Sequence, residues 1–284
     1  MQVLTVDYSA PDAAERFVLS LRETGFAVLV NHPIPVELVN GVYSEWYDFF
    51  RSDAKHTYVV DADGGQDGYY PPAISETAKG NSKRDLKEFF HVYGDGKYPA
   101  EVSDAAFRLR AAGQALATEL LHWVEAGTPP EVQARLSMPL SHMMNGSTRT
   151  LLRVLHYPPL TGEEEAGAVR AAAHEDINLI TVLPGSPEPG LQVKDLAGNW
   201  HDVAADPGTI AINAGDMLQL ATEGYYPSTT HRVVNPAGDA KLRSRMSTPI
   251  FLHPADDVQL SPEKTAFQYL QERIQELRSL DLKQ

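Results

Sequence analysis

Five residues in the C-terminal half combine side chains that bind metal ions with side chains that bind carboxylates. They are His174, Asp176, His231, Arg245 and Ser247. Two neutral imidazoles and one carboxylate suit a non-haem Fe(II) centre that keeps open positions for oxygen chemistry. A guanidinium beside a hydroxyl can hold a carboxylate through its charge and its fork of N–H donors. The set therefore predicts an iron centre next to an anion site.

The spacing of these residues indicates how they could meet. His174 and Asp176 are two residues apart, as are Arg245 and Ser247, and residues two apart in a strand face the same side. His231 comes 55 residues after Asp176 (231 − 176), so tertiary folding must bring it in, as a β-barrel does. Any one of the ten histidines taken alone is more often structural than a ligand. Arg243 is an alternative cation, and we prefer Arg245 because it stands two residues before a serine.

The elements that must position these residues change in kind along the chain. Apolar residues at helical spacing predict helices over residues 11–24, 36–50, 103–126 and 262–280. Short apolar runs separated by Gly, Pro, Asn and Asp predict strands over 26–30, 150–157, 179–183, 191–195, 209–213, 217–221, 231–234 and 245–252. Many short strands at regular spacing are typical of a sandwich or barrel. We therefore expect a mostly β fold with flanking helices.

The composition and net charge of the chain disfavour some functions and exclude others. The chain has 284 residues, of which 43% are hydrophobic and 22% charged, as in ordinary globular proteins. The formal net charge of −14 disfavours binding to nucleic acid or to an anionic membrane, because both attract clustered Lys and Arg. The absence of cysteine excludes disulfides, thiolate metal sites and a cysteine nucleophile. With no apparent signal peptide or membrane-spanning run, we expect a soluble cytoplasmic protein.

Longer runs around the five residues resemble a known family of iron enzymes. The first run starts at His174 and reads HEDINLITVL, the second leads through His231 and reads TEGYYPSTTHRV, and the third is Arg245-Met246-Ser247. Segments at 25–32, 68–71 and 85–90 extend the match towards the N-terminus. On these runs the chain resembles the isopenicillin N synthase-like family of Fe(II)/2-oxoglutarate-dependent dioxygenases over nearly its whole length.

The resemblance implies a fold and a set of roles. It implies a double-stranded β-helix, or jelly roll, wrapped by N-terminal and C-terminal helices. It implies that His174, Asp176 and His231 bind Fe(II), and that Arg245 and Ser247 bind 2-oxoglutarate. Tyr157 falls where family members use a tyrosine for the same carboxylate. Many members have Asn two residues earlier, where this chain has leucine.

The expected organisation is one structural unit over residues 1–284. Within it we expect an N-terminal helical and mixed region at 3–103, the jelly-roll core at 148–254 and a C-terminal helix at 262–280. The expected reaction is oxidation of a small-molecule substrate by O2, as hydroxylation, desaturation or cyclisation, with 2-oxoglutarate converted to succinate and CO2. The sequence does not indicate an oligomeric state.

Two other functions remain open from the sequence. A same-fold Fe(II) oxidase such as isopenicillin N synthase or aminocyclopropane carboxylate oxidase keeps the Arg-x-Ser pair without using 2-oxoglutarate. A β-barrel that binds a metal or small acid without turnover is a more remote alternative. The substrate is not readable, and the candidates for lining its pocket are Tyr70, Phe89, His91, Met143 and Arg153.

Overall fold

A computed structural model of the protein describes residues 2–61, 66–74 and 83–281. Its helices are α1 (Ala13–Thr24), α2 (Val36–Arg51), α3 (Ala105–Gly127), α4 (Pro130–Gln133), α5 (Asp216–Ala221) and α6 (Ala266–Asp281). Its strands are β1 (Thr5–Asp7), β2 (Phe26–Val30), β3 (Gly68–Tyr70), β4 (Glu88–Val92), β5 (Leu151–Tyr157), β6 (Ala171–His174), β7 (Ile180–Pro184), β8 (Leu191–Lys194), β9 (Trp200–Asp202), β10 (Ile210–Ala214), β11 (His231–Val233), β12 (Arg245–Ser247), β13 (Ile250–Leu252), β14 (Gln259–Ser261) and β15 (Lys264–Thr265). Short 3₁₀ helices lie at Asp53–Tyr58, Pro72–Ile74, Leu140–Met144 and Gly238–Leu242.

Two sheets form the core that holds the site. The larger sheet runs in the order β1-β2-β10-β7-β13-β5-β4-β3, with β12 paired to β5, and the smaller runs β6-β11-β8-β9. Apolar side chains fill the space between them in two clusters. One joins Phe26 and Val28 of the larger sheet to Leu191 and Val193 of the smaller, and the other contains Tyr157. The predicted mostly β jelly roll is confirmed by this arrangement and by the fold of similar structures.

Helices cover the outer face of the larger sheet. In α2, the buried residues Val39, Val42, Trp46 and Phe49 recur every three or four positions and form one apolar face. The ring of Trp46 lies edge-on to Phe90 of β4, with ring centroids 5.1 Å apart. Burial of this helical face against the sheet fixes the strands whose other face lines the site.

Strand β4 separates the helical core from the barrel interior, because its side chains alternate. Phe90 points to the helices, while Phe89 joins the interior cluster. Glu88 lies on the helical side, where its carboxylate contacts Lys55 Nζ at 2.9 Å and His156 Nδ1 at 2.7 Å. Burial acts to raise the pKa of Glu88, but hydrogen bonds from His156, Tyr69 and Lys55 outweigh it and lower the pKa. Glu88 thus links Lys55 to His156 of β5 and Tyr69 of β3, the two strands that flank β4.

One glycine is required at the start of the barrel. Gly25 ends α1 in the left-handed conformation, at φ 69°, which costs glycine least among the residues. A side chain there would meet Thr229 Oγ1 at 2.3 Å and the Pro227 carbonyl oxygen at 2.6 Å. Gly25 therefore lets the helix end pack against the segment that leads into β11.

Two predicted strands differ from the structure. Residues 217–221 form the short helix α5, because Met217, Leu218 and Ala221 bury one side of a helical turn, and a short apolar run does not distinguish helix from strand. Residues 245–252 form two strands, β12 and β13. The break falls at Thr248 and Pro249, and proline has no N–H to continue a strand ladder. The remaining predicted helices and strands lie within a few residues of the observed ones.

Candidate metal centre and carboxylate pocket

The side chains of His174, Asp176 and His231 converge in the barrel from two parts of the chain. His231 opens β11 and stands opposite His174, the last residue of β6. Asp176 Oδ1 lies 3.8 Å from His174 Nε2 and 3.7 Å from His231 Nε2. Within the described part of the chain, these residues are the one group of His, Asp and Glu side chains near enough to share a metal ion. Asp176 lies just beyond the strand, so strand alternation alone does not explain its position.

Hydrogen bonds orient both imidazoles. His174 Nδ1 lies 2.7 Å from the Ala172 carbonyl oxygen, and His231 Nδ1 lies 3.1 Å from the Thr229 carbonyl oxygen. A carbonyl accepts only, so each Nδ1 carries the proton and each Nε2 presents a lone pair. This is the usual outer support of a metal-binding histidine.

The carboxylate is held in the same manner. Asp176 Oδ2 accepts hydrogen bonds from Thr181 Oγ1 at 2.6 Å and from Asn213 Nδ2 at 2.9 Å. Thr181 lies on β7 and Asn213 on the neighbouring β10. These bonds occupy one oxygen and leave Oδ1 directed at the imidazoles.

The surroundings of His174 and Asp176 favour the protonation states that a metal requires. Desolvation lowers the pKa of His174, and the neighbouring His231 lowers it further. Desolvation acts to raise the pKa of Asp176, but the two histidines and the bonds from Asn213 and Thr181 outweigh it, so that pKa is lowered. A neutral imidazole and an ionised carboxylate are the forms that bind metal ions. The donor set therefore fits a divalent ion such as Fe(II).

The three side chains of this centre differ in their exposure to solvent. The His174 side chain is 37% exposed, whereas the side chains of Asp176 and His231 are 6% and 9% exposed. Phe26 packs edge-on against the His231 ring, with centroids 5.4 Å apart. Among the described residues, the open side of the centre is therefore the side of His174.

The candidate carboxylate pocket lies on β12 and β5. Arg245 stands directly opposite Tyr157 in the ladder, and Ser247 stands opposite Leu155. The Arg245 guanidinium carbon lies 5.3 Å from the centre of the Tyr157 ring. Arg245, Ser247 and Tyr157 are all buried. The structure thus brings together the three residues that the sequence placed at an anion site.

The alternative cation occupies a different environment. The side chain of Arg243 is 59% exposed and pairs with Glu188 at 2.8 Å. Arg245 instead donates from Nε to the Glu188 carbonyl oxygen at 3.1 Å, and its Nη1 has no hydrogen-bond partner in the part of the chain that the structure describes. A buried guanidinium with a free N–H group can receive an anion, whereas Arg243 is already paired at the surface.

Two family descriptions match the chain. The 2OG-Fe(II) oxygenase superfamily matches residues 148–254. The N-terminal region of the non-haem dioxygenase in morphine synthesis matches residues 4–108. Each covers less than half of the chain, and together they include the jelly-roll core and the preceding helices.

Solved structures and a curated relative extend the match to the full length. A Shewanella oneidensis structure, described as a candidate oxygenase, is 52% identical with a TM-score of 0.88 and covers 98% of this chain and 99% of its own. A Caulobacter crescentus protein assigned to the 2OG-Fe(II) oxygenase family is 31% identical with a TM-score of 0.80, covering 96% and 98%. This chain belongs to the 2OG-Fe(II) oxygenase superfamily. Proline hydroxylase buaE of Petromyces alliaceus is 29% identical over 96% of this chain and 99% of its own.

Family membership decides between the functions that the sequence left open. The protein is an Fe(II)- and 2-oxoglutarate-dependent dioxygenase, and this assignment is favoured over an oxidase that does not use 2-oxoglutarate. No helix in the described part of the chain is long and apolar enough to cross a bilayer.

Four of the five candidate substrate residues of this oxygenase form one cluster on the inner wall. Tyr70 stacks on Phe89 with ring centroids 4.6 Å apart. The Arg153 guanidinium carbon lies 4.5 Å from the centre of the Phe89 ring, and Arg153 Nε donates to His91 Nε2 at 2.8 Å. Met143 instead belongs to the core between the helices and the larger sheet, which indicates a packing role.

The residues that support the site do not stand out in the sequence. Asn213 and Thr181 hold Asp176, and of the two only Thr181 lies within a run quoted above as resembling the family. The side chain of Arg170 is 0% exposed, which the sequence does not predict. The available signal for Arg170 was a charged residue directly before the three alanines of β6. A charged residue at the edge of a buried strand indicates a binding partner, because arginine is rarely buried without one.

Proposed function

We propose that His174, Asp176 and His231 bind the Fe(II) of this oxygenase. The single observation that carries the proposal is the convergence of two Nε2 atoms and one carboxylate oxygen whose companion atoms are already hydrogen-bonded. Three ligands leave three positions on a six-coordinate ion. The orientation of the ligands is fixed by their own neighbours before any ion binds.

We also propose that Arg245, Ser247 and Tyr157 hold the distal carboxylate of 2-oxoglutarate. All three are buried, so the carboxylate would meet Arg245 with little water between them. Attraction between opposite charges is stronger in such a desolvated site than at the surface. Anchoring the distal end directs the 2-oxo acid end towards the metal.

Bound iron would supply the activation of O2 that couples decarboxylation of 2-oxoglutarate to oxidation of the substrate. For a hydroxylation, substrate, 2-oxoglutarate and O2 give hydroxylated substrate, succinate and CO2, with one oxygen atom in the new hydroxyl and one in succinate. The residues of the chain bind and orient the reactants and exclude water from the anion end.

The substrate of the proposed reaction is a small molecule that meets the inner wall formed by Tyr70, Phe89, His91 and Arg153. The stacked rings offer an apolar surface for a flat or hydrophobic part of that molecule. The proposed functional unit is the whole chain, residues 1–284, with the N-terminal region 3–103 supporting the core at 148–254 and the helix at 262–280 packed beside them. The proposed location is the cytoplasm.

The test of the proposed function is succinate formation. Protein supplied with Fe(II), 2-oxoglutarate and O2 should release succinate slowly, and an amino-acid, small-acid or aromatic-metabolite substrate should raise the rate. Mass spectrometry of the stimulated reaction would identify hydroxylation, desaturation or cyclisation. O2 consumption that is independent of 2-oxoglutarate would contradict the proposal and favour the oxidase alternative.

A further inference from the structure

Arg170 is a fully buried arginine that lies near the Glu188 carboxylate without forming an ion pair with it, and Glu188 is paired with Arg243 instead. Its side chain is 0% exposed. Nη2 donates to the Arg243 carbonyl oxygen at 2.9 Å, while Nε and Nη1 have no hydrogen-bond partner within residues 2–61, 66–74 and 83–281. In the described part of the chain, no ion pair joins Arg170 to a carboxylate. Burial of an unpaired charge is strongly unfavourable, so the arrangement calls for an anion.

The backbone around Arg170 is held in place. The Arg170 N–H donates to Asn235 Oδ1 at 2.9 Å, and Asn235 Nδ2 donates to the Ala168 carbonyl oxygen at 2.8 Å. The next residue, Ala171, packs in the same interior cluster as Tyr157. These contacts set the start of β6 beside the anion pocket rather than at the surface.

Arg170 shares its surroundings with Arg245. Its Nη2 binds the carbonyl two residues before Arg245, which is itself only 3% exposed and has an Nη1 without a partner. Burial lowers the pKa of Arg170 and the neighbouring positive charge of Arg245 lowers it further, while Tyr157 and Glu188 raise it without cancelling the net decrease. Two buried cations that repel each other, with unpaired N–H groups on both, form a site for an anion with several acceptor positions.

We propose that Arg170 is a second guanidinium of the carboxylate pocket and, beside Arg245, donates to the distal carboxylate of 2-oxoglutarate. This inference rests on the proposed function. A carboxylate accepts up to about four hydrogen bonds through its two oxygens, so it can engage the free nitrogens of both arginines. Leu155, opposite Ser247, offers no donor on its side of the pocket.

A pocket with two guanidiniums selects its co-substrate by charge. A 2-oxo acid of the same chain length that ends in a methyl group, 2-oxopentanoate, would leave both buried cations unpaired. The structure therefore assigns to Arg170 a part in the preference for 2-oxoglutarate over 2-oxo monoacids. Metal binding is assigned to other residues, so it should not depend on Arg170.

The experiment compares the wild type with R170M, R170K and the matched control R243M, in which an exposed arginine is replaced. Each protein is loaded with Fe(II) under nitrogen, its metal content and melting temperature are recorded, and binding of 2-oxoglutarate and 2-oxopentanoate is measured by calorimetry. In R170M the Kd for 2-oxoglutarate should rise about 10- to 100-fold, as for loss of a hydrogen bond to a charged group. Iron content and binding of 2-oxopentanoate should not change. R170K, which keeps the charge without the planar fork, should show a smaller rise, and R243M none.

Several results would overturn the inference. Unchanged affinity of R170M for 2-oxoglutarate, or an equal loss for both 2-oxo acids, would show that Arg170 does not contact the distal carboxylate. If R170M does not fold, R170K decides, and wild-type affinity for 2-oxoglutarate in R170K would contradict the proposal. Failure of the iron-loaded wild type to bind 2-oxoglutarate would instead refute the proposed function, and the role of Arg170 with it.

Discussion

At the metal triad, each polar atom beside the three converging donor atoms has a protein partner. The Nδ1 atoms of His174 and His231 contact backbone carbonyl oxygens, and the second oxygen of Asp176 is bound by Thr181 and Asn213. The carboxylate pocket differs. Arg245 and Arg170 are both buried, yet Nη1 of Arg245 and two nitrogens of Arg170 have no hydrogen-bond partner among the described residues.

The difference shows how the two parts of the site depend on their ligands. The triad is oriented by the protein itself, so its geometry does not require the ion. In the described part of the chain, the candidate pocket holds two buried guanidiniums with unpartnered nitrogens, so an anion bound there would complete their pairing. Binding of 2-oxoglutarate should therefore stabilise the folded protein by mass action, by an amount that grows with the logarithm of the ligand concentration divided by Kd.

Loss of a proposed metal ligand should reduce activity more than any other change considered below. Replacing His174 or Asp176 by Ala removes a metal ligand, and the activity loss should exceed the about 10- to 100-fold typical of outer-shell changes. Succinate release and bound iron should both fall to background, measured by chromatography and by metal analysis. The control is the melting temperature of the metal-free proteins. Succinate release that persists in both variants would contradict the ligand assignment.

Replacement of Arg245 should weaken 2-oxoglutarate binding without changing iron binding. Arg245→Met should weaken 2-oxoglutarate binding by about 2–5 kcal/mol, which is about 30-fold to a few thousandfold in Kd. Iron content should stay at the wild-type level, because Arg245 does not contact the triad. The measurement is the 2-oxoglutarate dependence of succinate formation together with bound iron. Loss of iron in this variant would show that the two parts are not independent.

A smaller effect tests the support of the triad. Thr181→Val removes the 2.6 Å hydrogen bond to Asp176 Oδ2 while preserving side-chain shape. Iron affinity should fall about 10- to 100-fold, measured by competition with a chelator. The Kd for 2-oxoglutarate, measured at saturating iron, should remain near the wild-type value. Unchanged iron affinity would mean that Asn213 alone is enough to orient the carboxylate.

Replacement of the exposed Arg243 should have the smallest effect on stability and on 2-oxoglutarate binding. Arg243→Gln breaks a surface ion pair with Glu188, and such pairs contribute about 0–1 kcal/mol. Unfolding in urea should therefore show little change, and 2-oxoglutarate should bind as in the wild type. A clear loss of 2-oxoglutarate affinity would move part of the carboxylate site to Arg243.

Much of the fold and part of the site were predictable from sequence. Helical spacing of apolar residues predicted α2, and the apolar segment from Phe26 predicted β2 with the bounds observed. Residues 217–221 were wrongly predicted as a strand, because five apolar or neutral residues carry too little periodicity to distinguish the two structures. The run 245–252 was predicted as one strand, but it forms β12, which pairs with β5, and β13, which lies between β5 and β7. Pro249 stands at the break between the two strands.

The amino-acid sequence was sufficient to identify the chemical groups of the site: two imidazoles, a carboxylate and an arginine-serine pair in runs that resemble an iron oxygenase. The orientation of these groups, and the burial of each arginine, depend on contacts between residues that are distant in sequence. Arg243 and Arg245 are equally basic in sequence, but one faces solvent and the other is buried opposite Tyr157. Arg170 became a candidate only because folding buries it with its Nη2 on the Arg243 carbonyl oxygen, two residues before Arg245, and no local sequence pattern specifies that burial.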